Sequence, residues 1–212
     1  MNLTSLKTIK SLLETHGARP NKGLGQNFLI DKRALDKILA TTELSPQDTV
    51  VEIGPGIGTL TRELAQNVKR VVAVEKDRAM IEILRETTKD LPNIEIVQGD
   101  ILKLNLAELS YPHLNRAKGY RVVANLPYYI TSPVIRKFLE AELLSKEARL
   151  LRPALMVLMV QKEVAQRICA KPSHMSLLAV SVQFYGEPKI VSYVKRTSFW
   201  PQPDVDSAIL KI

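Results

Sequence analysis

The sequence is poor in the side chains that build redox, metal and nucleophile chemistry: one cysteine, three histidines and one tryptophan in 212 residues, with aromatics at 5%. A lone thiol, Cys169, excludes an internal disulfide and fits a reducing compartment. His16, His113 and His174 stand far apart in polar or loop-like contexts, so their spacing offers neither a metal site nor a nucleophile–base pair, and all three read as surface residues. No run approaches the roughly 18 apolar residues of a membrane span, and the N-terminus lacks the apolar centre of a secretory signal. The expectation is a cytoplasmic protein with no metal and no membrane partner. Residues 1–13 carry Ser, Thr and Lys without acid, as organellar presequences do, yet Leu3, Leu6, Ile9, Leu12 and Leu13 fit an amphipathic helix, the favoured reading.

Positive charge is abundant. Thirty Lys and Arg against 22 Asp and Glu give a formal +8, a balance that favours polyanions. Lys7, Lys10, Arg19, Lys22, Lys32, Arg33 and Lys37 precede the first sheet strand, and Lys195-Arg196 lie near the other end. From charge alone, the solvated basic surface of a small-molecule enzyme is the favoured reading. With 45% apolar residues the chain suits one globular domain, residues 1–212, whose first 30 residues form a basic arm.

Strand-like and helix-like stretches alternate from Thr49 to Ala170, which predicts an α/β fold with a parallel sheet and helices on both faces. Thr49–Ile53 opens it, followed by Arg70–Glu75, Asn93–Val97, Arg121–Ala124 and Ala154–Val160. Ser132-Pro133 reads as a capping hydroxyl and first-position proline of a helix running through Phe138 towards Leu144. Leu177–Tyr185, partly strand, and Ala208–Ile212 would close the sheet.

Gly54-Pro55-Gly56-Ile57-Gly58 follows the first strand at once and leads into a helical pattern. Glycines let backbone approach a ligand where a Cβ would collide, and the helix start behind them offers unpaired N–H groups. Glu75 ends the second strand 21 residues after Gly54 (75 − 54), near the separation at which such acids grip a ribose. A dinucleotide fingerprint would need Gly or Ala at position 59, where this chain has Thr. With Glu52 two residues ahead, the run is similar to the S-adenosylmethionine loop of class I methyltransferases.

Asn125-Leu126-Pro127-Tyr128 adds chemistry of its own. Pro127 pushes Leu126 out of the helical region, leaving its carbonyl as a fixed acceptor. The Asn125 side-chain oxygen is a second, and two acceptors hold both N–H bonds of an exocyclic base amine. Tyr128 would stack on the base. A plain turn after a strand is the competing reading of these four residues.

Taken in order, Gly23 to Leu29, Glu52 to Thr61, Glu75, Gly99-Asp100, Asn125 to Tyr128 and Phe199 to Ser207 resemble the ribosomal RNA adenine N6,N6-dimethyltransferases nearly end to end. The likeness is greatest to those that modify two adjacent adenosines near the 3′ end of small-subunit rRNA. It implies a class I, Rossmann-like S-adenosylmethionine-dependent fold: a seven-stranded, mostly parallel sheet with a terminal antiparallel hairpin. It implies a donor site of Asn27, Leu29, Glu52, Gly54, Gly56, Gly58, Glu75, Asp100 and Asn125, with Asp100 on the donor's adenine amine or, as a bare residue, a helix cap. It also implies a target-base site of Asn125, Leu126, Pro127, Tyr128 and Phe199, the last stacking opposite Tyr128. S-adenosylhomocysteine would be the product, and the small-subunit rRNA or a pre-ribosomal particle the partner of a monomer.

Family members usually continue past the last strand into a small helical domain, which the resemblance leads us to expect absent here, and the connection from Lys171-Pro172 to Leu178 is expected to be shorter than theirs. Two further readings stay open: a large-subunit rRNA dimethylase of the antibiotic-resistance type, and a non-catalytic RNA-binding assembly factor that keeps the donor site.

Overall fold

The computed structural model describes residues 1–106, 119–140 and 152–212. Its strands are β1 (Phe28–Leu29), β2 (Thr49–Ile53), β3 (Arg70–Glu75), β4 (Ile94–Gln98), β5 (Arg121–Asn125), β6 (Leu155–Gln161), β7 (Lys189–Val194), β8 (Phe199–Trp200) and β9 (Ser207–Lys211). Seven of them form one mixed sheet in the order β4-β3-β2-β5-β6-β9-β7, while β1 and β8 make a separate antiparallel ribbon. The five strands from β4 to β6 run parallel, and β9 pairs antiparallel with both β6 and β7. The expected parallel sheet with a terminal hairpin is therefore what the chain builds.

Continuous apolar runs explain the central strands. Every residue of β2 is buried, as are six of the seven in β6, because helices cover both faces of a parallel sheet. The helices are α1 (Leu6–Thr15), α2 (Lys32–Thr41), α3 (Thr59–Ala65), α4 (Arg78–Thr88), α5 (Thr131–Leu139), α6 (Lys162–Ile168) and α7 (Leu177–Tyr185). Strand alternation divides the core. Val51, Val72, Val122 and Leu158 face Val134, Phe138, Ile168 and Val182 of α5 to α7. Val50, Val71, Val123 and Val157 face Leu35, Ile38, Leu60 and Leu64 of α2 and α3. A third cluster seats α1, through Ile9, Leu12 and Leu13, against Phe28, Ile57, Met80 and Ile83. The amphipathic helix read from residues 1–13 is thus α1, which starts only at Leu6 and buries Ile9, Leu12 and Leu13, with Leu3 ahead of it in the same cluster.

Two expectations need correction. Leu177–Tyr185 is entirely helix, and the hairpin strand is β7. The apolar, valine-containing run reads as strand, but Ser176 accepts from the Ala179 N–H and starts a helix. Second, α5 begins at Thr131 without a side-chain cap. A 3-10 turn, Tyr128–Ile130, runs straight into it and occupies the place a capping residue would need. The expected extension of this helix towards Leu144 and the reading of His113 lie outside the described residues. His174 is exposed, whereas His16 is half-buried and bonded to Glu86 at 2.7 Å.

The chain passes from β2 outward to β3 and β4, then crosses to β5 on the other side of β2. Such a reversal opens a crevice at the carboxyl ends of the strands. Glu52, Glu75, Asp100 and Asn125 all sit at those ends or one turn beyond.

Candidate active site

A single cavity of about 1230 Å³, its open mouth included, fills that crevice. Its floor is the glycine loop. Gly54, Gly56 and Gly58 take φ of +65°, +57° and +88°, in the left-handed region where side chains are strained. Gly54 and Gly56 line the cavity. Gly58 does not: it precedes α3, and a Cβ there would lie 2.9 Å from Leu84 Cδ1 and 3.0 Å from Thr87 Oγ1. The third glycine serves the packing of α3 on α4.

Glu75 is 7% exposed. Its Oε2 accepts from Gly56 N–H at 3.0 Å, and Oε1 from Lys76 and Asp77 N–H at 2.8 and 2.9 Å. Burial raises its pKa, and these three amides oppose the rise. The carboxylate both faces the cavity and ties the glycine loop to the turn after β3. Asp100, expected as an adenine-amine acceptor or a cap, accepts from Leu102 N–H at 3.0 Å within a turn rather than a helix, and pairs with Lys76 at 3.0 Å. Burial and the Lys76 ammonium pull its pKa in opposite directions, with a net lowering. Lys137 from α5 donates to the Leu102 and Leu104 carbonyls at 3.0 and 2.7 Å, holding this turn in place. Among the described residues, no group of three or more His, Cys, Asp or Glu is gathered as metal ligands would be.

The N-terminal arm closes one wall. Gln26 donates to Asp77 Oδ2 at 2.7 Å and accepts from Asn21 N–H at 2.8 Å, while Asp77 caps α4. Asn27 turns its own amide onto the Gly25 carbonyl at 3.2 Å, and its backbone carbonyl accepts from Asn125 Nδ2 at 3.0 Å. Because the amide nitrogen of Asn125 is engaged, its Oδ1 is the atom left for a ligand. Leu126 N–H bonds the Met159 carbonyl at 3.2 Å. Among the described residues no donor reaches the Leu126 carbonyl.

Tyr128 lines the cavity with its ring, and its hydroxyl meets Ser207 Oγ at 2.7 Å. Burial raises its pKa. Phe199 does not join this lining. It is 3% exposed and packs in the core with Leu29, its partner across the β1–β8 ribbon. Alternation sends Phe28 and Trp200 to the opposite face, where their rings lie 6.4 Å apart. Phe199, expected to stack opposite Tyr128, is thus turned inward by the ribbon and stands outside the cavity lining despite the nearby prolines. Tyr129, 57% exposed at the cavity rim, is the aromatic that the sequence reading passed over. Its position directly after Tyr128 was the available signal. Asn27, Leu29, Glu52, Gly54, Gly56, Glu75, Asp100, Asn125, Leu126, Pro127 and Tyr128 all border the one cavity.

A family model described as "Ribosomal RNA adenine dimethylase" matches residues 17–212. Among curated proteins, "Ribosomal RNA small subunit methyltransferase A" of Dehalococcoides mccartyi (strain CBDB1) is 49% identical over 203 residues, 96% of this chain and 66% of the relative. The chain thus spans just under two thirds of that relative's length. Among solved structures, a dimethyladenosine transferase from Plasmodium falciparum superposes with TM-score 0.72 at 32% identity, covering 86% of this chain and 62% of the other. The 23S rRNA methyltransferase ErmE also reaches TM-score 0.72, at 34% identity over 87% of this chain and 68% of its own.

Proposed function

The chain belongs to the ribosomal RNA adenine dimethylase family, and we propose that it moves methyl groups from S-adenosylmethionine to the N6 amines of two adjacent adenosines near the 3′ end of small-subunit rRNA. The observation that carries this reading is the bond from Asn125 Nδ2 to the Asn27 carbonyl, which leaves Asn125 Oδ1 as an acceptor at the rim of the glycine-floored cavity.

The residues fit the donor. Gly54 and Gly56 present a floor without Cβ atoms, Glu75 suits ribose hydroxyls, Asp100 suits an adenine amine, and Asn27 with Leu29 borders the remainder. Bound there, S-adenosylmethionine supplies a methyl group already activated on a sulfonium, and S-adenosylhomocysteine is the product. The chain's part is then positioning and electrostatics. Asn125 Oδ1 and the Leu126 carbonyl accept the two N–H bonds of the target amine, favouring a lone pair localised on nitrogen, and the amine's surplus proton passes to solvent. Tyr128 and Tyr129 offer faces for the base, which must leave its stack to reach them. The proposal includes a cytoplasmic monomer that needs no metal and acts on the small subunit or its precursor.

The test is transfer of labelled methyl to undermethylated small subunits, large subunits and DNA, followed by digestion to nucleosides. N6,N6-dimethyladenosine from small subunits alone is the expected result. Product from large subunits alone would reassign the target, and donor binding without transfer to any substrate would make the protein a binding factor.

A further inference from the structure

Glu52 is the most buried carboxyl bordering the cavity, at 1% exposure, and its Oε2 has no hydrogen-bond partner among the described residues. Its strand neighbours in register are apolar: Ala73 on β3 and Val123 on β5. From α3 the polar group beside it is the buried Thr61 hydroxyl, which is close enough to favour the ionised form but too poorly placed for a good hydrogen bond to Oε2. The charged groups bordering the same cavity are Glu75, Lys76 and Asp100, and the one cation among them, Lys76, pairs with Asp100 at 3.0 Å. No described cation pairs with Glu52. A carboxylate left in apolar surroundings without a counter-ion is among the costliest arrangements in a protein, so the group holds a proton or awaits a cation.

Resting on the methyl-donor reading, we propose that Glu52 carries a proton in the free cavity and surrenders it when the cationic donor binds, so that donor binding and proton release are one event. Burial first, then the neighbouring Glu75 charge, pushes the Glu52 carboxyl up to about 8, with the Thr61 hydroxyl pulling the other way. Near neutral pH the free site is then mostly neutral at this position. An arriving organic cation stabilises the ionised form, and the proton leaves to solvent. The subsite is accordingly selective for positive charge and tightens as pH rises.

Calorimetric titration of the whole chain with S-adenosylmethionine, in buffers of different ionisation enthalpy, reads the proton directly. About one proton should be released per donor bound, with Kd falling about tenfold between pH 5.5 and 6.5, a window more than a unit below the titration of an ordinary α-amino group such as the donor's. Glu52→Gln should bind with no proton release and a flat profile. A flat wild-type profile overturns the inference, as does a slope that persists in Glu52→Gln, which would assign the proton to Glu75. Should that variant fail to fold, infrared difference spectra of the wild type decide: donor addition should abolish a protonated-carboxyl band, and an unchanged band overturns the inference. Binding without proton release leaves the methyl-donor reading standing, whereas failure of the donor to bind at all sinks both.

Discussion

Asn125 and Asn27, 98 positions apart in sequence, are joined by a 3.0 Å hydrogen bond from the Asn125 amide to the Asn27 backbone carbonyl. This one contact couples the wall that borders the donor cavity to the residue assigned to the target amine. It also settles the orientation of an amide whose two ends would otherwise exchange roles freely. A carboxylate in place of Asn125 could not donate to that carbonyl.

The glycine loop gives a prediction about stability. Gly58→Ala would combine a left-handed φ with a Cβ 2.9 Å from Leu84 Cδ1, and should cost about 2 to 4 kcal/mol. Denaturant unfolding monitored by circular dichroism checks this, and a loss below about 0.5 kcal/mol would mean that α3 and α4 separate without difficulty.

Lys137 holds the turn after Asp100, which belongs to the proposed donor site. Replacing it with Met keeps the apolar stem but removes two donations to the Leu102 and Leu104 carbonyls. Donor affinity should fall on the order of tenfold, given about 1 to 3 kcal/mol for such charged bonds, while the far-ultraviolet spectrum stays unchanged. Calorimetry with the donor measures it. Unaltered affinity would show that the turn holds its shape alone.

Stability should depend on pH through Glu52. Its folded pKa, about 8, lies above the ordinary 4.5, so folding takes up a proton. The stabilising contribution is full below about 4.5 and is lost as pH rises through about 8, amounting to a few kcal/mol. Glu52→Gln resembles the protonated form. Its melting temperature should match the wild type near pH 4.5 and exceed it at pH 9. Parallel melting curves across that range would contradict the burial argument.

At Tyr128 the ring and the hydroxyl separate cleanly. Tyr128→Phe removes the bond to Ser207 Oγ at 2.7 Å but leaves the face, and should cost about 1 kcal/mol of stability with little change in target engagement. Tyr128→Ala should raise KM for RNA roughly ten- to hundredfold, the equivalent of about 1 to 3 kcal/mol of stacking. Equal KM values for the two variants would remove the base from the Tyr128 face.

What could be read in advance was what is local. The strand–glycine–helix run at Thr49–Ala65 and the Asn125-Leu126-Pro127-Tyr128 turn carry their geometry in adjacent residues, through positive φ and the restriction before proline. The acid at Glu75 followed from a chain separation fixed by one helix and one strand. Pairing over long distances was not legible. Phe199 turns inward because its ribbon partner is Leu29, 170 residues earlier (199 − 29), and no nearby residue announces that. Leu177–Tyr185 misled through composition: an apolar run with two valines suits a strand, yet one hydroxyl at Ser176 starts a helix. The Asn125–Asn27 and Lys137–Leu104 contacts likewise depend on elements that only the folded chain brings together.

Asn125 borders the donor cavity, yet its proposed role lies chiefly at the target amine. The most direct measurement compares Asn125→Ala with wild type in two assays on the same preparation: donor Kd by calorimetry, and single-turnover transfer to undermethylated small subunits. Transfer should fall on the order of 100-fold while donor Kd changes by less than about threefold, roughly 0.7 kcal/mol. A loss of donor affinity as large as the loss of transfer would contradict the account, because Asn125 would then belong to the donor site alone.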